Sequence, residues 1–150
     1  MKHAFERDPV VLVSDVARMV RTFADARARE HGMTRAQWMI LLRVDRQPGM
    51  SQNELAALLE VEPITVGRLI DRLERRGMVE RCDDPQDRRI WRLRLTAAAL
   101  PMLKKIAKAR AELNDILTAG LPQKDLQTAV DCLLQMKTNM TGSRASAETA

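Results

Sequence analysis

Cysteine and histidine are scarce in this 150-residue chain, which contains two residues of each type. Cys82 and Cys132 lack the spacing of a metal site, and neither His3 nor His31 has a second ligand at a useful distance. The sequence also lacks a glycine-rich phosphate loop, a nucleophile elbow and a pair of candidate catalytic carboxylates. These absences predict a protein that is not an enzyme and that binds no metal or cofactor.

Long apolar runs are missing as well. No stretch reaches the roughly 18 residues needed to cross a bilayer, and no signal-peptide pattern opens the sequence. We therefore expect a cytoplasmic protein without a membrane partner, in which both cysteines are reduced. Cys82 lies at the base of a predicted hairpin and has two interpretations, a small buried thiol or a redox-sensitive one.

Positive charge, by contrast, is abundant and concentrated. The net charge is +5, and residues 68–94 contain nine arginines, no lysine and six acidic residues. This balance favours a polyanionic partner, because the arginine fork fits phosphates and guanine edges. The alternative is a solvated charged face without a partner, which agrees poorly with the turn and helix signals around these arginines. Within the segment, Arg76 and Arg81 are expected to be the most dispensable for binding such a partner.

Helix start and stop signals divide most of the chain into short helices. Residues 9–30 carry an apolar helical stripe, and residues 34–37 and 51–54 each form a capping box that opens a helix. Pro63 begins a further helix, which Gly77 ends. The outward side of that helix is mostly basic and comprises Thr65, Arg68, Arg72 and Arg75.

Two predicted strands follow, over residues 78–82 and 90–95, joined by a turn with adjacent arginines. In the second strand, alternation places Trp91, Leu93 and Leu95 on one face. Thr96 is expected to cap a long helix, and Pro122 precedes a last one. The small and polar residues 142–150 are predicted to form a disordered tail.

A helix, a tight turn, a basic helix and a basic-tipped hairpin together predict a winged helix-turn-helix. The expected fold is mainly α with a small β-wing. We assign the winged helix-turn-helix to residues 32–96 and a helical dimerisation region to residues 1–31 and 97–141.

The wing has a specific family resemblance. Residues 87–96 have the pattern Asp-x-Arg-x-x-x-Leu-x-Leu-Thr, which resembles the wing signature of the MarR/SlyA family of bacterial transcription regulators. Residues 77–81 resemble that family's entry into the wing, and the likeness covers roughly residues 9–140. Glu60 and Ala99 depart from the family, which often has Gly there, and bear only on local backbone shape. The resemblance implies a sequence-specific regulator of transcription, expected to be a repressor.

The predicted DNA contacts fall into groups by their place in the fold. The start of the recognition helix is expected to meet base edges in the major groove, and its later arginines and the preceding helix start suit phosphates. The resemblance places one wing arginine in the minor groove, oriented by an acidic neighbour. The predicted base-edge contacts are Pro63, Ile64, Thr65 and Arg68, and the predicted phosphate contacts are Arg72, Arg75, Ser51 and Gln52. The minor-groove arginine is Arg89, oriented by Asp87, and Arg88, Arg92 and Arg94 are further predicted backbone contacts.

One recognition helix reads too few bases to specify a long site. We therefore expect a homodimer that binds a pseudo-palindromic operator in double-stranded DNA. The terminal helices are the predicted interface because they are more apolar than a small domain needs, with intrachain core as the alternative. The positions concerned are Val10, Val13, Val16, Val20, Leu126, Leu133, Met136 and Met140.

The resemblance also implies an effector. In this family a small anionic aromatic, or a larger aromatic acyl-CoA thioester, releases the protein from DNA when it binds between the dimer helices and the winged domain. The predicted ligand residues are Arg18, Arg21, Phe23, His31, Trp38, Leu42 and Arg68. For Trp38 the alternative is ordinary core packing. Two other functions stay open: a DNA- or RNA-binding module without an effector, and a helical protein-interaction adaptor.

Overall fold

The computed structural model describes residues 6–87 and 89–147. It confirms a mainly helical fold with a two-stranded antiparallel wing. No helix in these two ranges is both long and apolar enough to cross a membrane. In chain order the elements are α1 (Pro9–Arg29), α2 (Arg35–Arg46), α3 (Gln52–Leu59), α4 (Pro63–Arg75), β1 (Val79–Asp83), β2 (Trp91–Leu95), a 3-10 turn (Ala97–Ala99), α5 (Leu100–Thr118) and α6 (Gln123–Ala147).

Local capping interactions set where α2 and α3 begin. The Thr34 hydroxyl accepts from the Gln37 backbone N–H at 3.2 Å, and the Thr34 N–H donates to Gln37 Oε1 at 2.9 Å. Ser51 and Glu54 form the same reciprocal pair at the start of α3, with distances of 2.6 and 3.1 Å. Both predicted capping boxes are therefore confirmed, and each satisfies backbone donors that the helix leaves unpaired.

The turn between α3 and α4 contains Glu60 in the left-handed region, with φ of 54°. Among the residues described, it is the one non-glycine residue with a positive φ. This is the position at which the MarR/SlyA resemblance suggested Gly. The turn conformation that Gly favours is thus present without the glycine.

The hydrophobic core lies between the helix-turn-helix, the wing and the first part of α5. The inner face of α4 contributes to this core: Val66, Ile70 and Leu73 are buried, and Leu69 is half-buried. The largest fully buried side chains of the core are Ile40, Leu41, Val44, Leu55, Val66, Ile70, Leu73, Leu93 and Ile106.

The two wing strands pair with Val79 opposite Leu95, Arg81 opposite Leu93 and Asp83 opposite Trp91. Each strand differs by about one residue from its predicted bounds. Leu93 is buried and Leu95 is packed against the core, as expected, whereas Trp91 on the same face is 47% exposed. The exposure arises because Trp91 is the strand residue closest to the wing tip, where the strands extend beyond the core.

The chain divides into two compact units, one up to Leu113 and one from Asn114 onward. In the second unit, α6 has no buried residue over positions 123–142, and several large apolar side chains on it are exposed. The helix extends through Ala147, which differs from the prediction of a disordered tail from residue 142; residues 148–150 lie outside the described residues. The residues from 142 onward include no proline, and α6 continues because nothing in this segment has to end it.

A pair of leucines in α3 tests the core assignment. Leu55 is fully buried and Leu58 is 45% exposed in the same helix. We expect Leu55→Ala to lower the free energy of unfolding by about 2–5 kcal/mol, because it leaves a cavity, and Leu58→Ala to change it by less than about 1 kcal/mol. Urea unfolding followed by circular dichroism measures both. Equal losses would contradict the placement of α3.

Candidate nucleic-acid interface and ligand cavity

The outward side of α4 combines exposed polar and apolar residues near its start with arginines further along. Ile64 is 67% exposed, and Thr65 and Arg68 are exposed beside it. Arg72 and Arg75 continue the same side at helical spacing, opposite the buried face of the helix. We call these five residues the reading face. Its composition suits base edges at one end and phosphates at the other.

Ser51 and Gln52 at the start of α3 are held by contacts within the fold. Ser51 is buried, and its hydroxyl serves the capping box. The Gln52 side-chain amide donates to the Pro63 carbonyl at 3.4 Å and lies where a Cβ on Gly67 would meet it at 3.1 Å. The Ser51 side chain therefore caps α3, and the Gln52 side chain joins α3 to α4. A phosphate contact by this helix start stays a prediction.

The wing tip is organised by Asp84, which the sequence analysis missed. Its Oδ1 accepts from the backbone N–H groups of Gln86 and Asp87 at 2.7 and 2.9 Å, and its Oδ2 accepts from Arg92 Nε at 2.6 Å. The hydrogen bond from Arg92 is the main cause that holds the pKa of Asp84 below its ordinary value, followed by the two backbone hydrogen bonds. An aspartate before Pro at the start of a turn was the available signal.

Arg92 is directed into the fold. Besides its bond to Asp84, its Nη1 donates to the Gly49 carbonyl at 3.2 Å and to Glu54 Oε2 at 3.3 Å. Glu54 also belongs to the capping box, and the hydrogen bond from the Ser51 backbone is the main cause that lowers its pKa. Arg92 therefore links the wing tip to the start of α3. A DNA contact for it stays a prediction, but its guanidinium already has three protein partners.

Asp87 and Arg89 are connected through the backbone. Asp87 Oδ1 accepts from the Arg89 backbone N–H at 2.9 Å, and the Asp87 carbonyl accepts from the Ile90 N–H at 3.0 Å. Asp87 thus restrains the Arg89 main chain, and its expected role in orienting the Arg89 guanidinium stays a prediction. The Arg89 side chain is exposed. Arg88, the other predicted contact at the tip, lies outside the described residues.

Arg76, which was expected to be dispensable, joins the end of α4 to the end of α1. Its Nη1 donates to the Gly32 carbonyl at 2.9 Å and its Nη2 to the His31 carbonyl at 3.2 Å. These carbonyls follow the last turn of α1, where helices commonly lack partners for their carbonyl oxygens. The contact gives Arg76 a structural role, which the expectation that it is dispensable did not include.

A cavity of about 430 Å³ lies in the first unit between α1, α2 and the first part of α5. Four predicted ligand residues line it: Arg21, Phe23, Trp38 and Leu42. Arginines that were not predicted also line it, namely Arg35, Arg43, Arg46 and Arg110. Two of these could have been found from the sequence, because Arg35, Trp38, Leu42 and Arg46 repeat at three- and four-residue spacing along α2.

Unpaired donors distinguish this cavity from ordinary core. Trp38 is 4% exposed, yet its indole Nε1 has no hydrogen-bond partner among the described residues, and neither has the buried Nε of Arg43. Buried N–H groups without partners are uncommon, because each loses its water without compensation. The His31 ring stacks on the Trp38 ring at 6.2 Å between centroids. The cavity lining is thus largely apolar, and two of its residues, Trp38 and Arg43, each carry a buried donor without a described partner.

The other three predicted ligand residues are not brought to the cavity lining. Arg18 pairs with Asp15 at 3.0 Å on the exposed side of α1, one turn away from Arg21. His31 contacts Trp38 but does not line the cavity. Arg68 lies on the reading face. Among the residues that the structure covers, no cluster of histidine, cysteine or acidic side chains could hold a metal ion.

Comparisons with known proteins agree with this architecture. Residues 31–90 match the model of the MarR family. The crystal structure of MarR is 28% identical, with 89% of this chain and 98% of that chain covered and a TM-score of 0.76. A MarR family regulator from Listeria monocytogenes, solved with a 26mer DNA, is 20% identical, with 91% of each chain covered and a TM-score of 0.78.

A third similar structure was solved with a ligand. PcaV from Streptomyces coelicolor, solved with its natural ligand, is 22% identical, with 89% of this chain and 94% of that chain covered and a TM-score of 0.71. At 20–22% identity the PcaV and Listeria structures show the fold alone. The chain is a MarR family winged helix-turn-helix transcription regulator, similar in structure to MarR and SlyA. Because this family is not enzymatic, the expectation of no catalysis is confirmed.

Asp84 provides a pH test of the wing tip. Because its folded pKa is depressed, its contribution to stability is present above its ordinary pKa of 3.8 and is lost as pH falls through the lower folded value. We expect Asp84→Asn to flatten the fall in unfolding free energy over that acidic range. Urea unfolding at a series of pH values measures it, with Asp83→Asn in the exposed end of β1 as control. An unchanged acid dependence in Asp84→Asn would contradict the assignment.

Proposed function

We propose that this chain is a homodimeric repressor whose affinity for a pseudo-palindromic operator falls when a small aromatic carboxylate binds in the cavity. The observation that carries the proposal is the pairing of an exposed reading face with a cavity whose lining includes Trp38 and Arg43, two residues with unpaired buried donors. DNA binding is a property of the family, whereas the effector, the dimer and the individual contacts are proposed. The protein is proposed to act in the cytoplasm.

The DNA contacts are proposed from exposure and position. Pro63, Ile64, Thr65 and Arg68 lie at the exposed start of α4 and are assigned to base edges in the major groove. Ile64 supplies an apolar surface of the kind that recognises a thymine methyl group. Arg72 and Arg75 are assigned to phosphates, and the exposed Arg89 is assigned to the minor groove.

A homodimer is supported by apolar side chains that remain exposed in the single chain. On α1, Val10 is 75% and Met19 is 62% exposed. On α6, Leu133 is 52% and Met140 is 68% exposed. Several large exposed apolar residues on one helix indicate a surface that is buried in the assembled protein. We propose that a second copy of this chain buries it, because two recognition helices are needed to read a palindrome.

The effector class is supported by the size and chemistry of the cavity. A volume of about 430 Å³ is in the range of small-molecule sites. An aromatic ring would fit the apolar lining, and a carboxylate would accept from Trp38 Nε1 or the neighbouring arginines. The acyl group of an aromatic CoA thioester would pack against the same lining, and its phosphates would lie outside the cavity.

The wing assignment is tested by Arg89→Ala. If Arg89 enters the minor groove, the substitution should weaken operator binding and reduce the slope of log affinity against log salt by about 0.9 per arginine charge removed from the DNA. Fluorescence anisotropy at several salt concentrations measures both quantities. Arg29→Ala, at the exposed end of α1, is the matched control and should change neither. An unchanged slope in Arg89→Ala would refute the minor-groove assignment.

The cavity assignment is tested by Trp38→Phe, which removes the Nε1 donor and keeps an aromatic ring. We expect its affinity for benzoate to fall about tenfold, which corresponds to about 1.4 kcal/mol and suits the loss of one hydrogen bond to a charged group. Operator binding without ligand should be unchanged. Isothermal titration with benzoate measures the loss, and Trp91→Phe in the exposed wing is the control.

The two parts of the proposal can fail separately. If aromatic acids and their CoA thioesters all leave operator affinity unchanged, the protein is a DNA-binding regulator without an effector of this class. If Trp38→Phe lowers folding stability but binds benzoate like the unchanged protein, Trp38 is core only.

A further inference from the structure

Arg81 points toward the helices although it lies in a charged strand. The pairing of β1 and β2 places it on the same face as Val79 and Leu93, both of which are buried. Its side chain is only 18% exposed, and the sequence analysis had expected it to be dispensable. An arginine turned toward the core needs partners, because its charge loses most of its water there.

Two acidic residues of α4 supply those partners. Arg81 Nη2 lies 2.7 Å from Asp71 Oδ1, and Nη1 is bonded to Glu74 Oε2. The Arg81 backbone N–H also donates to Glu74 Oε1 at 3.0 Å. Asp71 and Glu74 are three residues apart and therefore lie on one side of α4. The strand is thus attached to this helix by both main chain and side chain.

The same guanidinium extends to the other helix of the helix-turn-helix. Its Nη2 is 3.4 Å from the Gly67 carbonyl and 3.5 Å from Gln52 Oε1. Gln52 in turn donates to the Pro63 carbonyl at the start of α4. One planar fork therefore touches α3, α4 and β1 together. The compact ammonium of a lysine could not make these bonds in several directions at once.

We propose that Arg81 is the positioning residue that sets the angle of the wing relative to α4, and so the separation between the reading face and Arg89. A two-stranded hairpin is marginally stable alone and takes its direction from what it packs against. Arg81 itself does not touch DNA. The inference rests on the proposed minor-groove contact of Arg89, because a fixed wing lets the reading face and Arg89 contact the DNA at the same time.

A double-mutant cycle between Arg81→Met and Arg89→Ala tests the positioning role. In the unchanged background, Arg89→Ala should weaken operator binding about tenfold. In the Arg81→Met background, where the wing is misplaced, the same change should weaken it less than about twofold. If the two losses of operator affinity multiply in the double variant, Arg81 affects DNA binding independently of Arg89 in the wing. That result would overturn the proposal.

The conservative variant Arg81→Lys separates geometry from charge. Lysine keeps the positive charge beside Asp71 and Glu74 but loses the fork, so operator affinity should stay as low as in Arg81→Met. Full recovery of affinity in Arg81→Lys would mean that neutralising the two carboxylates is the whole effect, and would overturn the positioning role.

Hydrogen exchange of the free protein tests the same claim without DNA. Amide protons of residues 79–95 should exchange faster in Arg81→Met and Arg81→Lys, while those of α2 keep their rates, which also shows that the variants are folded. Arg94→Met, in the adjacent strand but exposed, is the matched control and should leave wing exchange unchanged. Unchanged wing exchange in both Arg81 variants would overturn the proposal. If Arg89→Ala alone has no effect on operator binding, the minor-groove assignment fails, and exchange still decides the role of Arg81.

Discussion

The DNA-reading surface depends on one constraint: a two-stranded hairpin must be held at a set angle to a helix. Two strands do not hold such an angle by themselves. Leu93 anchors the hairpin in the core, Arg81 joins β1 to α4, and Arg92 joins β2 to the start of α3. Asp84 then shapes the tip from which Arg89 extends. The reading face and the wing tip can act as a unit only because these inward contacts exist.

The arginines of residues 68–94 therefore have two kinds of role, although their residue type is the same. Arg68, Arg72 and Arg89 are exposed and available to a polyanion. Arg81 and Arg92 use their forked donors within the protein, each with carboxylate partners and a main-chain carbonyl. Three of the six acidic residues of the segment, Asp71, Glu74 and Asp84, are partners of the inward arginines. The high charge density thus belongs to the scaffold as well as to the binding surface.

The sequence predicted what depends on local rules. Capping boxes located α2 and α3, helical spacing separated the two faces of α4, and the wing pattern identified the family. It did not predict which arginines turn inward, because that depends on strand register and on partners distant in sequence. Period-two alternation puts Arg81 on the same strand face as the buried Val79, a signal that the sequence analysis did not use. On α1, Arg21 lines the cavity, whereas Arg18, three residues earlier, pairs with Asp15.

A hydroxyl-radical footprint on the DNA beside the protein's own gene tests the central claim most directly. A dimer with two reading faces and two fixed wings should protect a symmetric site, with two major-groove segments about one helical turn apart and a protected minor groove on each outer side. A single asymmetric patch, or major-groove protection without the flanking minor-groove protection, would contradict the account.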